Sequence, residues 1–268
     1  MTTTSPSCGE LLAAMRQRNP LVQCITNDVA MSIAANVLLA AGASPAMVSA
    51  EEEAGEFAQL AGAVTINIGT LWAGGVAGMR EAATAARETG KPWVLDPVAH
   101  YATAFRRDVV RGLMDLNPSI VRGNASEIMA LAGEATQGQG VDSGDSTLSA
   151  RSAALALAHR HSCVVAVTGD VDFVTDGARS LSLEGGSPIM PKVTALGCAL
   201  TCLVGAFAAT VPDQPFEATA AALALFAVCG EEAGAQAQGP GSFQPLFLDA
   251  LATIGSQRLD ANARFLNS

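Results

Sequence analysis

The sequence predicts an α/β protein of three layers, a mainly parallel central sheet with helices on both faces. Short apolar runs alternate with longer helical stretches along most of the 268 residues, and such alternation implies parallel strands joined by helices that cover both faces. Half of the chain is apolar while aromatics make up only 4%, and small side chains let helices approach a sheet closely. Several helix starts are also marked by capping residues at the proper spacing.

Strands are expected at 21–25, 46–49, 63–68, 93–96, 119–122 and 163–168, then a hairpin of 172–175 and 180–183 turned by Asp176-Gly177, a favoured hairpin dipeptide. Helices are expected at 8–18, 29–41, 51–60, 71–89, 105–115, 125–132, 147–160, 198–210, 216–233 and 243–259. Asn27 offers a cap for the second helix, and the pairs Ser49/Glu52 and Asn124/Glu127 have capping-box spacing. The apolar runs 199–211 and 218–229 are too short to span a bilayer and read as buried helices. Two segments break the alternation: 133–146, rich in Gly, Gln and acids, reads as an exposed loop, and 235–242 separates two late helices. Neither is long enough to link domains, so residues 1–268 read as one domain.

Composition narrows the function. A net charge of −10 with no basic cluster longer than Arg106-Arg107 speaks against a nucleic-acid partner. Six scattered cysteines without a C-x-x-C pair suit reduced thiols in a cytoplasm. The N-terminus shows neither a basic n-region nor an apolar h-region, so neither export nor a membrane is expected.

The most informative stretch is 192–201, where small residues lead into an apolar helix. The first N–H groups of such a helix lack internal partners and carry the positive end of its dipole, so an anion can sit there, and Gly197 lets it come close. Cys198 then stands beside that anion as acid, base or nucleophile, or is simply a buried core thiol. In an open parallel sheet ligands bind beyond the carboxyl ends of the strands. That rule selects Asn27, Met47, 67–70, Asp96-Pro97, 122–124 and 168–170. Asp96 is either a turn residue before proline or a carboxylate for hydrated Mg²⁺. Glu127 is a cap partner, a catalytic carboxylate, or both. Arg122 suits a bidentate fork to phosphate or a pairing with a nearby Glu or Asp, and Thr168 with Gly169 suits phosphate oxygens, though both of these could be ordinary strand-end residues. Met47 is core filler or a soft wall for an apolar ring. His100 receives no role, His159 and His161 are expected to be solvated, and 51–53 is an acidic first helical turn rather than a metal cluster.

Taken in order, the runs Asn19 to Asn27, Gly42 to Met47, Asn67 to Leu71, Trp93 to Ala99, Arg122 to Ile128, Val167 to Gly169, Val174 to Gly177 and Met190 to Cys198 resemble the hydroxyethylthiazole kinases of the ribokinase-like superfamily. The resemblance implies a three-layer ribokinase-like fold and ATP-dependent phosphorylation of 4-methyl-5-(2-hydroxyethyl)thiazole in thiamin salvage, with Mg²⁺. It implies that Met47 and Asn27 line the thiazole pocket, with Ala195 and Gly197 at the anion-binding turn. It further implies that Arg122, Thr168, Gly169 and Asn124 serve ATP, that Asp96 and Glu127 hold the metal, and that Cys198 replaces the usual aspartate base. It also implies a homotrimer with sites at subunit interfaces. One departure stands out: many members read Gly-Thr-Gly-Cys where this chain has Ala195-Leu196-Gly197-Cys198. Ala195 costs little if its φ is negative, and Leu196 removes a hydroxyl. A sister kinase of hydroxymethylpyrimidine or a related alcohol, and a nucleotide-binding sensor without chemistry, remain as alternatives.

Overall fold

The computed structural model describes residues 5–134 and 146–266. Its strands are β1 (Leu21–Ile25), β2 (Ser44–Ala46), β3 (Ala63–Asn67), β4 (Trp93–Asp96), β5 (Ile120–Asn124), β6 (Val164–Thr168), β7 (Val171–Thr175), β8 (Ser180–Glu184) and β9 (Arg264–Leu266). They form one nine-stranded sheet in the order β2-β1-β3-β4-β5-β6-β7-β8-β9. The strands from β2 to β6 pair parallel, and the last three join antiparallel. The helices are α1 (Cys8–Arg18), α2 (Met31–Ala41), α3 (Glu51–Leu60), α4 (Gly75–Glu88), α5 (Ala104–Met114), α6 (Ala125–Ala132), α7 (Arg151–His161), α8 (Leu196–Thr210), α9 (Pro215–Gln236), α10 (Pro240–Thr253) and α11 (Ser256–Asn262).

Side chains of successive strand residues point to opposite faces, and this alternation splits the core in two. Val22, Cys24, Val94, Ile120, Val164 and Ala166 pack with α1, α2 and α8 to α10. Ile25, Val64, Ile66, Leu95, Val121 and Val165 pack with α3 to α7. The expected three layers are therefore present. Helix α8 lies across β1, β3 and β4 at a distance that Gly205 allows, since a Cβ there would stand 2.4 Å from Thr65 Cγ2. That close seat sets the position of the α8 N-terminus over the sheet's carboxyl edge.

Several boundaries differ from expectation. The final expected helix is two, α10 and α11, broken where Ile254 turns extended (ψ 129°) and Gly255 follows extended as well. Strand β9, which closes the antiparallel edge, has no counterpart among the expected elements. Strand β2 falls on Ser44–Ala46 because Ser44 and Pro45 pair with Leu21 and Val22. Ser49 does not cap α3; Ala50 takes that position without a side-chain bond. The Asn124–Glu127 capping box does form. Most of the expected loop 133–146 lies outside the described residues. Helix α9 is, at 22 residues, long and apolar enough to cross a membrane, contrary to the shorter run read from sequence, but 78% of its most apolar window is buried within the protein.

Candidate active site

A cavity of about 830 Å³ opens at the carboxyl ends of β1 and β3 to β6, beneath the N-terminus of α8. Ten of the eleven site residues expected from the sequence line it; Met47 does not. Met47 instead follows edge strand β2 and packs, half-buried, against one of the two core clusters. A second groove of about 930 Å³ lies at the opposite end of the sheet, beside His159, His161 and Asp176, and touches none of these residues.

Helix α8 begins with backbone donors to spare: its first internal bond runs from Ala199 N to Ala195 O at 2.9 Å, so the N–H groups before it lack helical acceptors. Arg122 approaches this turn closely enough that a Cβ on Gly197 would stand 3.0 Å from its Nη1. The condition under which Ala195 costs little is not met. Its φ is +62°, a conformation that costs an alanine about 1 kcal/mol or more relative to the right-handed region.

Asp96 is fully buried. Its Oδ2 accepts from Asn67 Nδ2 at 2.7 Å and from Thr201 Oγ1 at 2.8 Å, and Arg122 Nη1 lies 3.5 Å away. Its Oδ1 is buried without a partner, as is Arg122 Nε. Burial raises the Asp96 pKa, against the lowering pull of Arg122, Thr201 and Asn67. Glu127 accepts from Asn124 N at 2.8 Å through Oε2 and from Ala99 N at 3.0 Å through Oε1. Ala99 reaches it from a left-handed conformation, φ +47°. Burial, followed by the charge of Asp96, pushes Glu127 up to about 7, against those two amides and Arg122. Glu127 thus serves as cap partner and as a carboxyl facing the cavity.

Arg122 Nη2 donates to Thr168 Oγ1, which in turn donates to Gly123 O at 3.3 Å. Gly169 N is engaged by Asp172 Oδ1 at 3.0 Å, and burial pushes that carboxyl up to about 6, against the Gly169 amide and Arg122. Cys198 is the third residue of α8, and its sulfur accepts from Asn27 Nδ2 at 3.2 Å. Burial, then the charge of Asp96, pushes the thiol up to about 12, outweighing Asn27, Arg122 and Asn67. His100 is buried, bonds Pro97 O through Nδ1 and is held neutral by burial, its pKa down to about 4.

Three participants escaped the sequence reading. Asn67 stood in the strand-end inventory without a role; its cross-strand register with Asp96 is the signal that identifies it. Thr201 lies three residues after Cys198, the spacing that brings two side chains to one helical face. Asp172 is the second residue of β7 and carries no motif.

Among the described residues no group of three His, Cys, Asp or Glu side chains forms a metal cage. A Mg²⁺ ion carried in with phosphates needs only one or two carboxylates and water. The bare, buried Oδ1 of Asp96 fits that requirement, with Glu127 beside it.

A parallel sheet with carboxylates, an arginine and a helix N-terminus gathered at its ligand edge defines a small-molecule kinase of ribokinase-like type. In fold alone the chain is similar to a ribokinase-like superfamily protein of Enterococcus faecalis V583, with TM-score 0.64 at 11% identity over 96% of this chain and 92% of the other. The profile of the hydroxyethylthiazole kinase family matches residues 12–257, and the chain belongs to that family. It is 65% identical to a hydroxyethylthiazole kinase of Rhizobium rhizogenes over 99% of this chain and 98% of that one. The solved hydroxyethylthiazole kinase of Pyrococcus horikoshii OT3 superposes with TM-score 0.89 at 40% identity, covering 97% of this chain and 98% of the other.

Proposed function

We propose that the protein transfers the γ-phosphoryl group of ATP to the primary hydroxyl of 4-methyl-5-(2-hydroxyethyl)thiazole, giving the thiazole phosphate and ADP in thiamin salvage. The observation that carries this reading is the convergence of the α8 N-terminus, the Arg122–Thr168 pair and the Asp96 and Glu127 carboxyls on one cavity. Family membership supplies the substrate class.

Phosphoryl transfer passes through a loose transition state, so positioning and charge neutralisation outweigh base strength. Arg122 and Thr168 hold phosphate oxygens of the nucleotide, with Asn124 beside them at the β5–α6 joint. Gly169 contributes through its turn, because its N–H already serves Asp172. The leading N–H groups of α8, around Ala195 and Gly197, receive the travelling phosphoryl group. Asp96 and Glu127 would hold Mg²⁺, which supplies charge neutralisation to the phosphates. Asn27 and Cys198 mark the place of the acceptor alcohol; Met47, outside this cavity, would meet a thiazole ring only at a subunit interface of the proposed homotrimer. Cys198 acts as base only through its thiolate, which burial and Asp96 keep scarce.

The whole chain acts as one kinase unit, supported by the unbroken nine-stranded sheet. We place it in the cytoplasm as a homotrimer with interfacial sites. The exposure of Val29 and Leu39 around α2, on the edge where Met47 lies, supports the assembly. An ADP-release assay with the thiazole alcohol, hydroxymethylpyrimidine and no acceptor tests the reading, with the product identified by mass spectrometry. Turnover is expected with the thiazole alcohol. Preference for the pyrimidine alcohol, or ATP binding without turnover, would overturn it.

A further inference from the structure

The Asp96 carboxylate is served on one side only. Asn67 Nδ2 and Thr201 Oγ1 both bond Oδ2, whereas Oδ1 is buried and bare. The lopsidedness is built in. Asn67 is buried at the end of β3, in direct register with Asp96, and its amide cannot be turned round. Its Oδ1 accepts from Gly69 N at 2.9 Å and from Asn27 Nδ2 at 2.8 Å, and the Gly69 amide can only donate. The Nδ2 end is thereby directed at Asp96. Thr201, also buried, approaches from α8, the helix that carries Cys198, so the clamp ties sheet and helix together. Leaving a buried carboxylate oxygen without a donor is unfavourable, and a cation at that oxygen removes the cost.

We infer that Asn67 and Thr201 are positioning residues that jointly occupy Asp96 Oδ2 and so reserve the buried Oδ1 for the divalent cation. The inference rests on the proposed kinase reading but is tested separately from it. Partners of metal ligands typically govern cation affinity by about 10- to 100-fold. Thr201→Val keeps the shape and removes the donor; Thr201→Ser keeps the donor; Asn67→Ala removes the second arm.

The probe is Mn²⁺ titrated into each protein with a non-hydrolysable ATP analogue, the free ion being followed by electron paramagnetic resonance. Thr201→Val and Asn67→Ala should bind Mn²⁺ at least tenfold more weakly and need correspondingly more Mg²⁺ for half-maximal turnover. The KM for the alcohol should stay within about twofold for Thr201→Val, and Thr201→Ser should restore Mn²⁺ affinity. Thermal melts identify any variant that has not folded, and Thr201→Val, which preserves volume, then decides. Mn²⁺ binding by folded Thr201→Val within twofold of wild type would overturn the inference, as would equal weakening in Thr201→Ser. Absence of thiazole phosphorylation in the wild type would instead overturn the functional reading, because Mn²⁺ binding is measured without turnover.

Discussion

Replacing Cys198 with aspartate is expected to increase turnover. The pocket pushes the thiol from 9.0 to about 12, a penalty on negative charge of about 4 kcal/mol at 1.36 kcal/mol per unit. At pH 7.5 the thiolate fraction is then roughly 3 in 10⁵. The same penalty applied to an aspartate of ordinary pKa about 3.9 brings it to about 7, so most of it is ionised at pH 7.5. The population of usable base rises by roughly 10⁴, while a base about five units weaker loses roughly 300-fold at a Brønsted slope near one half. The net ceiling is a gain of roughly 10²-fold, and a loose transition state realises only part of it, about tenfold. The assay is ADP release at saturating ATP and thiazole alcohol from pH 6 to 9. Wild-type kcat should climb steadily with pH, the Asp variant should level off above about pH 7, and Cys198→Ala should be slower than either. An alanine variant as fast as the wild type would remove Cys198 from the chemistry, and an Asp variant that tracks the wild-type pH slope would refute the charge argument.

Other perturbations follow from the same geometry. Ala195→Gly relieves the left-handed conformation at φ +62° and should stabilise the protein by about 1 kcal/mol, seen as a melting midpoint about 2–4 °C higher; an unchanged or lower midpoint would argue against strain there. Glu127 binds its proton more tightly folded than unfolded, so the native state holds the extra proton between about pH 4.5 and 7 and stability falls as pH rises through that window. Glu127→Gln keeps a capping box but cannot ionise, so urea titrations of the unliganded protein should show it gaining on the wild type from pH 5 to 8; parallel pH profiles would contradict the assignment. Asp96→Asn should raise the Mg²⁺ concentration for half-maximal rate by more than tenfold, and an ordinary metal response would reduce Asp96 to a turn residue.

Much of this arrangement was legible in the residues. Parallel strands ending in polar side chains announced the ligand edge, and Asn124 with Glu127 announced both a helix start and a carboxyl at the cavity. Less was legible where tertiary contacts override local pattern. The positive φ of Ala195 was signalled only by the Gly that many relatives carry there, because alanine itself ordinarily avoids it. Periodicity continues through Ile254-Gly255, so one helix was expected where the backbone turns twice. Strand β9 is short and exposed and owes its existence to pairing with β8. The clamp on Asp96 joins residues 67, 96 and 201, whose proximity only folding creates. Asn27 was expected to cap a helix and to line the pocket; α2 instead takes Ala30 as its cap, without a side-chain bond, while Asn27 lines the cavity and bonds Ala30 N, Asn67 and Cys198 together.

Strand β5 passes into α6 with no intervening loop, since Asn124 both ends the strand and caps the helix. Arg122, Asn124 and Glu127 are therefore welded to one stiff joint, whereas the acceptor side is assembled from the separate tips of β1, β2 and α8. Drift in the accepted alcohol can proceed by swapping those tips piecemeal, while any slip of the joint would displace the proposed Arg122, Asn124 and Glu127 contacts together.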